Sequence, residues 1–434
     1  MAEHGGGLRP DTEDPSAFEQ SARRFLSATA RPRTDSAREW GQGRDSVSYF
    51  ASGTAEQERD AVLAAKKWQR TRYENGWGWI TGPSEFGGLD LPVNYQMIYN
   101  SVEADFDVPD TNQLSVVGLG MIGPTILEHG NDELRASLLP AMYSGDKIAC
   151  QLFSEPGAGS DLASVETRAV QQGDEWILNG QKVWTSAAQH SAIGEILCRT
   201  DPELPKHRGM TAFIIDMTAP GVEVRPLRQM TGGEEFNEVF LTDVRVPDGN
   251  RLGEVNGGWS VALTTLTKER DVVAGSDTED IDRALTPKHL SALMRATWTW
   301  DDRALRRDLS QLIAEAMAVD GLNEMAAQAM ETGQAAGPER SIAKLMHGRN
   351  LTRSAHFASD VLGPRIIADN GDWGTYSWSE FLLASPALRI LGGTEEIMKN
   401  ILAEQVLGLP KDPGIDSKSP FRPQRHATTG GEAR

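Results

Sequence analysis

The spacing of apolar residues along this chain changes twice, and the changes divide it into three. Over the first third the spacing is helical. Phe18, Ala22, Phe25 and Leu26 follow Asp14, Pro15 and Ser16, which read as a helix start. Thr54, with Gln57 three residues on, gives a capping-box pattern ahead of an apolar stripe of Ala61, Val62, Ala65 and Trp68. Pro92 opens a helix through Tyr99, Val102 and Glu103. Residues 119–130 form a helical piece interrupted by small residues, and Asn131 caps a helix carrying Leu138, Leu139 and Met142. The period then falls to two. Residues 164–170, 176–178, 182–185, 192–198, 210–216, 222–226 and 238–246 read as strands separated by Gly, Pro and Asp clusters. That spacing predicts a compact antiparallel sheet or barrel. After Trp259 the helical period returns and lasts to about Leu407. The fold class is therefore α+β, in the order helices, sheet, helices. The expected divisions are an N-terminal extension with one helix (1–50), a helical domain (51–148), a central β domain (149–252), a C-terminal helical bundle (253–410) and a flexible tail (411–434).

At 434 residues the chain can hold two or three sizeable cores. Its formal net charge of −19 argues against nucleic acid or an anionic membrane as a partner. An anionic ligand would need locally positive surroundings. Two cysteines, Cys150 and Cys198, give neither a disulfide framework nor a metal-ligand cluster, which suits a reducing cytoplasm. No metal site is expected. The first residues lack the apolar core of a signal peptide, and no run reaches the length of a membrane span.

Candidate chemistry concentrates between Gln151 and Ser186. The segment from Gln151 to Asp161 reads Gln-Leu-Phe-Ser-Glu-Pro-Gly-Ala-Gly-Ser-Asp. Gly157 and Gly159 permit positive φ and close backbone approach, and Ser154 and Ser160 add hydroxyls beside backbone N–H groups, a combination suited to a phosphate. Trp176 to Leu178, a turn at Asn179-Gly180 and a return from Gln181 to Ser186 read as a hairpin. Trp184 would then offer a flat apolar face, with Ser186 two residues on and on the same side. A ring with a pyrophosphate tail fits both features. A short glycine motif alone is more often just a loop.

The whole run closely resembles the flavin-binding centre of the acyl-CoA dehydrogenase family, with its Ser-Glu-Pro-Gly-Ala-Gly-Ser-Asp loop, Asn179-Gly180-Gln181-Lys182 and Trp184-Thr185-Ser186. The likeness continues in Leu119-Gly-x-x-Gly-Pro124, Phe236 to Phe240, Asp243 to Pro247 and Gly392 to Ile397, and covers roughly Trp77 to Pro410. It implies an acyl-CoA dehydrogenase fold, FAD as cofactor and α,β-desaturation of an acyl-CoA. Such a reaction needs a hydride acceptor, a base and donors for the thioester oxygen. By resemblance, Gln151, Phe153, Ser154, Gly159, Ser160, Trp184, Ser186, Thr394 and Glu396 contact the flavin, while Ser160, Arg270 and Gly392 serve the substrate. Glu396 stands where a Gln is common, and a carboxylate cannot donate the amide's hydrogen bond.

Many members carry their base directly before the Gly-Thr near the C-terminus, but here Gly392 occupies that place. A subset carries it on the first helix after the sheet, where this chain has Glu269 followed by Arg270. Glu269 is thus the expected catalytic base, with a pKa raised by desolvation. An arbitrary Lys-Glu-Arg triplet is usually a solvated helix face, and only its place in the family pattern overturns that reading. Gly392 keeps its backbone N–H for the thioester carbonyl. The Arg-x-x-Phe-Gly motif that reaches a neighbouring subunit's flavin is missing from Gly275–Asp282 and Thr297–Asp302, and Leu362-Gly-Pro364 lacks a second glycine. Three readings stay open: a dehydrogenase passing electrons to an electron-transferring flavoprotein, an acyl-CoA oxidase, and a non-catalytic partner subunit. The expected assembly is an oligomer of like chains or a mixed heteromer. The acyl group is open, although a base on the earlier helix is compatible with long, branched or bulky chains.

Overall fold

The computed structural model describes residues 8–33, 55–275, 287–331, 339–367, 375–410 and 419–421. In chain order its elements are α1 (Pro15–Thr29), β1 (Arg31–Pro32), α2 (Ala55–Glu74), α3 (Val93–Glu103), β2 (Phe106–Asp107) and the short α4 (Asn112–Leu114), which runs into a π-helical segment, Ser115–Ile122. Next come α5 (Gly123–His129), α6 (Asp132–Tyr143), β3 (Ala149–Leu152), β4 (Arg168–Gln172), β5 (Glu175–Ser186), β6 (Ile193–Arg199), β7 (Met210–Asp216), β8 (Val222–Leu227), β9 (Phe236–Pro247) and β10 (Arg251–Leu252). The last described helices are α7 (Gly258–Gly275), α8 (Pro287–Ala296), α9 (Arg303–Glu331), α10 (Glu339–Leu362), α11 (Thr375–Ala384) and α12 (Glu395–Ile401).

These elements form two compact units. One comprises Met1–Asn112, Arg228–Glu235 and Thr267–Lys411. Its N-terminal core is aromatic: Phe25 stacks on Trp77 at 5.6 Å, and Trp77 on Tyr99 at 5.3 Å. Asp14 caps α1 by accepting from Ser16 N at 2.8 Å and Ala17 N at 2.9 Å, worth about 1 kcal/mol. A second core gathers Leu293, Leu309, Leu351, Trp378 and Phe381 from α8 to α11. In α2, Val62, Ala65 and Trp68 are buried as expected but Ala61 is exposed; the expected cap Thr54 lies outside the described residues.

The other unit holds Gln113–Leu227, Phe236–Leu266 and Asp412–Arg434. Its sheet runs β10-β7-β6-β4-β5-β9-β8, with β3 also paired to β6. Cys150, Leu152, Ile196, Cys198, Phe213, Ile215 and Val239 fill its core. Both cysteines are free and buried, and burial pushes each thiol up to about 12. The sheet is mixed, not purely antiparallel, because β3 and β4 both lie parallel to β6. The expected hairpin at Asn179-Gly180 is absent: residues 175–186 are one strand along β9. Asn179 hydrogen-bonds Asp243 instead of turning, and a Cβ on Gly180 would meet Thr167 Oγ1 at 2.4 Å, so that glycine serves close approach. The turn lies earlier, at Gly173-Asp174, where Gly173 has φ 68°. Residues 164–167 do not join β4, because Ser164 bonds Asp161 and the N–H groups of Glu166 and Thr167 are taken by Glu155.

Candidate functional site

The glycine motif occupies the excursion between β3 and β4. Both strands run beside β6, so residues 153–167 must leave the sheet and return to the same neighbour. A buried ion pair closes the root of this loop. Lys182 of β5 is 0% exposed, and its Nζ donates to the Phe153 carbonyl at 2.9 Å, the Leu197 carbonyl at 2.8 Å and Glu155 Oε1 at 2.8 Å. All three ammonium hydrogens are thereby used. The Glu155 carboxylate also accepts from Glu166 N at 2.6 Å and Thr167 N at 2.9 Å. Burial raises the Glu155 pKa, but Lys182 and these donors more than offset it and hold the carboxyl below its ordinary value. Arg199 braces the far side, with Nη2 donating to the Ala163 carbonyl at 2.6 Å and Nη1 to the Lys206 carbonyl at 2.8 Å. Burial lowers its pKa to about 10 against the opposing charge of Glu155. The motif's Glu and Lys are therefore frame, not ligands.

Above this frame the loop tip is bare. Gly159 and Ser160 are exposed, and a Cβ on Gly159 would meet nothing within 4 Å. Neither Gly157 nor Gly159 takes a positive φ, contrary to expectation. The turn closes instead by mutual bonds between Glu155 and Ala158, at 2.9 and 3.0 Å. Ser154 and Gln151 are half-buried, and Phe153 is buried with its carbonyl held by Lys182. Trp184 sits at φ 61° in a bulge between Lys182 and Thr185, with 62% of its surface exposed and its ring edge-on to Phe236 at 6.1 Å. Simple alternation from Trp184 to Ser186 does not apply across such a bulge. Beside Ser160, Asp161 accepts two bonds from Lys206 Nζ, at 2.8 and 2.9 Å, and Lys206 and Arg208 supply local positive charge. A bare glycine tip, two serines and an exposed indole fit a phosphate tail and a flat ring, so the residues present suit FAD.

The second group of predicted residues lies in the other unit. Glu269 on α7 is half-buried, and its charge raises the pKa of Lys344 against the larger lowering by burial. Lys344 Nζ donates to the Gly393 carbonyl. Gly392 and Gly393, at φ 65° and 96°, make the turn into α12, and a Cβ on Gly393 would lie 2.8 Å from Met398 Cε. The structure thus associates Glu269, Lys344 and the glycine turn. Thr394 caps α12 by accepting from Ile397 N at 3.2 Å, and Glu396 is exposed, 4.0 Å from Lys399 Nζ. The Arg270 side chain and residues 276–282 lie outside the described residues. Thr297–Asp302 forms a turn with Trp298 92% exposed, and Gly363 opens a 3-10 turn at φ 54°.

Sequence reasoning passed over Glu395. It is buried and accepts from Arg389 Nε at 2.6 Å and from Arg349 Nε and Nη2 at 3.1 and 3.0 Å. Arg389 first, then Arg349, hold its carboxyl down to about 2 against the cost of burial. A recess of about 390 Å³ adjoins it, lined by Thr352, His356, Ser385, Arg389 and Thr394. Lys344 was missed too, since nothing in the helical pattern distinguishes it from a solvated lysine. Lys182 did carry a signal: it stands in a strand between buried Leu178 and Val183, where a charge needs a partner.

Three family profiles match in order: the acyl-CoA dehydrogenase N-terminal domain over residues 12–146, the middle domain over 150–244 and the C-terminal domain over 256–407. The chain is 42% identical over 293 residues to acyl-CoA dehydrogenase FadE34 of Mycobacterium tuberculosis, a match covering 66% of this chain and 39% of that protein. It is 34% identical over 360 residues to acyl-CoA dehydrogenase IpdE1 of the same organism, covering 82% of this chain and 90% of that one. Among solved structures it resembles the Tcur3481-Tcur3483 steroid ACAD, at TM-score 0.72 and 25% identity over 93% of this chain and 100% of that chain. It also resembles the ChsE4-ChsE5 complex from Mycobacterium tuberculosis, at TM-score 0.67 and 27% identity over 91% and 98%. Complexes of unlike chains thus occur among its structural relatives. No helix among the described residues is long and apolar enough to cross a membrane. With three domains matched in order and a relative aligned along nine-tenths of its length, the chain belongs to the acyl-CoA dehydrogenase family, the FAD-dependent oxidoreductases that desaturate acyl-CoA thioesters.

Proposed function

We propose that Glu269 is the base that removes the α-proton of the acyl-CoA, and that Gly392 presents its backbone N–H to the thioester carbonyl. The observation carrying this reading is the link from Glu269 through Lys344 to the Gly392-Gly393 turn, a turn with no carboxylate in the position Gly392 occupies. Lys344 tethers the Gly393 carbonyl and so holds the turn in which Gly392 sits. FAD, when bound, supplies the hydride acceptor that side chains lack. Gln151, Ser154, Gly159, Ser160, Trp184 and Ser186 hold it, with Thr394 and Glu396 contributing from α12, and Arg270 and Ser160 serve the substrate. Glu269→Gln should leave bound flavin and its yellow spectrum intact. It should abolish bleaching by acyl-CoA under anaerobic conditions, and unchanged bleaching would remove Glu269 from this role.

The substrate we infer is a bulky acyl-CoA of the steroid-derived kind, and the assembly a heteromer of unlike chains. Gly392 projects no side chain beside the thioester, and structural relatives include a protein described as a steroid ACAD and complexes of two different chains. The acceptor in this reading is an electron-transferring flavoprotein. A panel of acyl-CoA thioesters with an artificial electron acceptor tests the first point; preference for short straight chains would overturn it. Flavin content of the chain purified alone and with a co-expressed partner tests the second. Rapid reoxidation of the reduced enzyme by oxygen would favour an oxidase.

A further inference from the structure

Glu195 lies within β6, flanked by β3 and β7, and is fully buried. A carboxyl group in such a place must be paired or neutral. Among the described residues no cation is paired with it. Thr265 Oγ1 of α7 lies 2.7 Å from Oε1, and Oε2 has no hydrogen-bond partner. Thr265 Oγ1 is in turn 3.0 Å from Thr125 Oγ1 of α5, which donates to the Met121 carbonyl at 2.9 Å. Thr265 Oγ1 also lies 3.2 Å from the Val261 carbonyl, so the cluster has four contacts, and each hydroxyl has one hydrogen to give. If Glu195 is neutral, Oε1–H donates to Thr265, Thr265 to Thr125, and Thr125 to Met121, so three of the four contacts contain a hydrogen. If it is ionised, Thr265 must turn toward Oε1, and only two of the four contain one.

Gln151 of β3 is the register partner of Glu195, but its Nε2 and Glu195 Oε2 are both buried without a partner, so the two side chains are not bonded to each other. We propose that Glu195 is a positioning residue, a neutral carboxylic acid whose O–H holds α7 through Thr265. α7 continues from Thr265 to Glu269 four residues on. The functional half of this proposal rests on the reading of Glu269 as the base.

Burial pushes the Glu195 carboxyl up to about 8. The packed elements bring few charges to it. β3 carries none, and β7 has only Asp216, at its end opposite Ile193. On α5, Glu128 and His129 bond Thr264 at 3.4 and 2.9 Å rather than Thr265. On β6 itself Arg199 is engaged with Ala163, while Lys182 of β5 is paired with Glu155. α7 carries Lys268, Glu269, Arg270 and Asp271 in the turn beyond Thr265.

Two measurements on the flavin-free chain test the neutral acid. Infrared difference spectra near neutral pH should show a protonated-carboxyl C=O band that Glu195→Gln removes and that alkaline pH abolishes in the wild type. Between the ordinary carboxylate value and about 8 the folded state holds a proton the unfolded chain has lost. Raising pH there should lower the wild-type folded-to-unfolded ratio by up to tenfold per unit relative to Glu195→Gln. A missing band, or parallel pH curves for the two proteins, overturns the proposal. For positioning, Glu195→Leu should slow substrate bleaching about tenfold, the equivalent of the lost hydrogen bond to Thr265, while Glu195→Gln, which keeps a donor and an acceptor, restores it. Equal behaviour of the Leu and Gln variants overturns the positioning role. The flavin-free results stand even if Glu269 proves not to be the base.

Discussion

Replacing Lys182 by Met tests whether the glycine loop is held by its buried ion pair. The substitution keeps the apolar stem and removes the ammonium. Glu155 then remains buried with only its two N–H bonds, and the carbonyls of Phe153 and Leu197 lose their donor. Removing one partner of a buried pair costs about 3–5 kcal/mol, and the two surviving N–H bonds on Glu155 place this case near the lower figure. Against a net stability of roughly 5–15 kcal/mol that is a large fraction. With a urea slope of about 1–3 kcal/mol per molar, the unfolding midpoint should fall by at least about 1 M. Glu155→Gln combined with Lys182→Met should cost less than the sum of the two, since both break one interaction. Acid adds a second signature. The Glu155 carboxyl titrates below its ordinary value, so its contribution is complete above about 4.3 and disappears as pH falls through the folded value. Lys182→Met should flatten that acid limb and loosen flavin. A loss below about 1 kcal/mol with flavin retained, or strictly additive costs, would refute the reasoning.

The other expectations are simpler. Gly258→Ala would set a Cβ 2.7 Å from Thr211 Cα and 2.8 Å from its carbonyl carbon, so it should destabilise the sheet unit by about 1–3 kcal/mol, read by chemical denaturation. Glu395→Gln removes the carboxylate shared by Arg389 and Arg349; the folded value near 2 means its contribution is lost only in acid, so the wild-type advantage in melting temperature should be constant from pH 6 to 8 and shrink steadily below about 4.3. A wild-type advantage that varies between pH 6 and 8 would show that another group titrates there.

The layered order was legible because each layer has its own period. The β7 limits were read residue for residue, since its apolar run is bounded by Gly209 and by the turn after Asp216. Asn179-Gly180 misled because the same dipeptide that favours a tight turn also permits close packing, and only the neighbouring Thr167 decides between them. The parallel pairing of β3 with β6 joins residues about forty positions apart and leaves no local trace. At the candidate site, the motif hid a division of labour: Glu155 and Lys182 brace the loop, while Gly159, Ser160 and Trp184 are exposed. Glu195 was passed over because a lone acid within an apolar strand run gives no hint of Thr265, which it meets, or of Thr125 behind it, which lie on separate helices.

Trp184 keeps a left-handed backbone that a bulky residue adopts only at a cost of roughly 1–2 kcal/mol, and it leaves most of its indole in the open. If Trp184 packs the flavin as proposed, folding and cofactor capture pull in opposite directions at this one position. A library screened for heat resistance alone should enrich Gly or Asn there, and the surviving clones should be sturdier and paler than their parent.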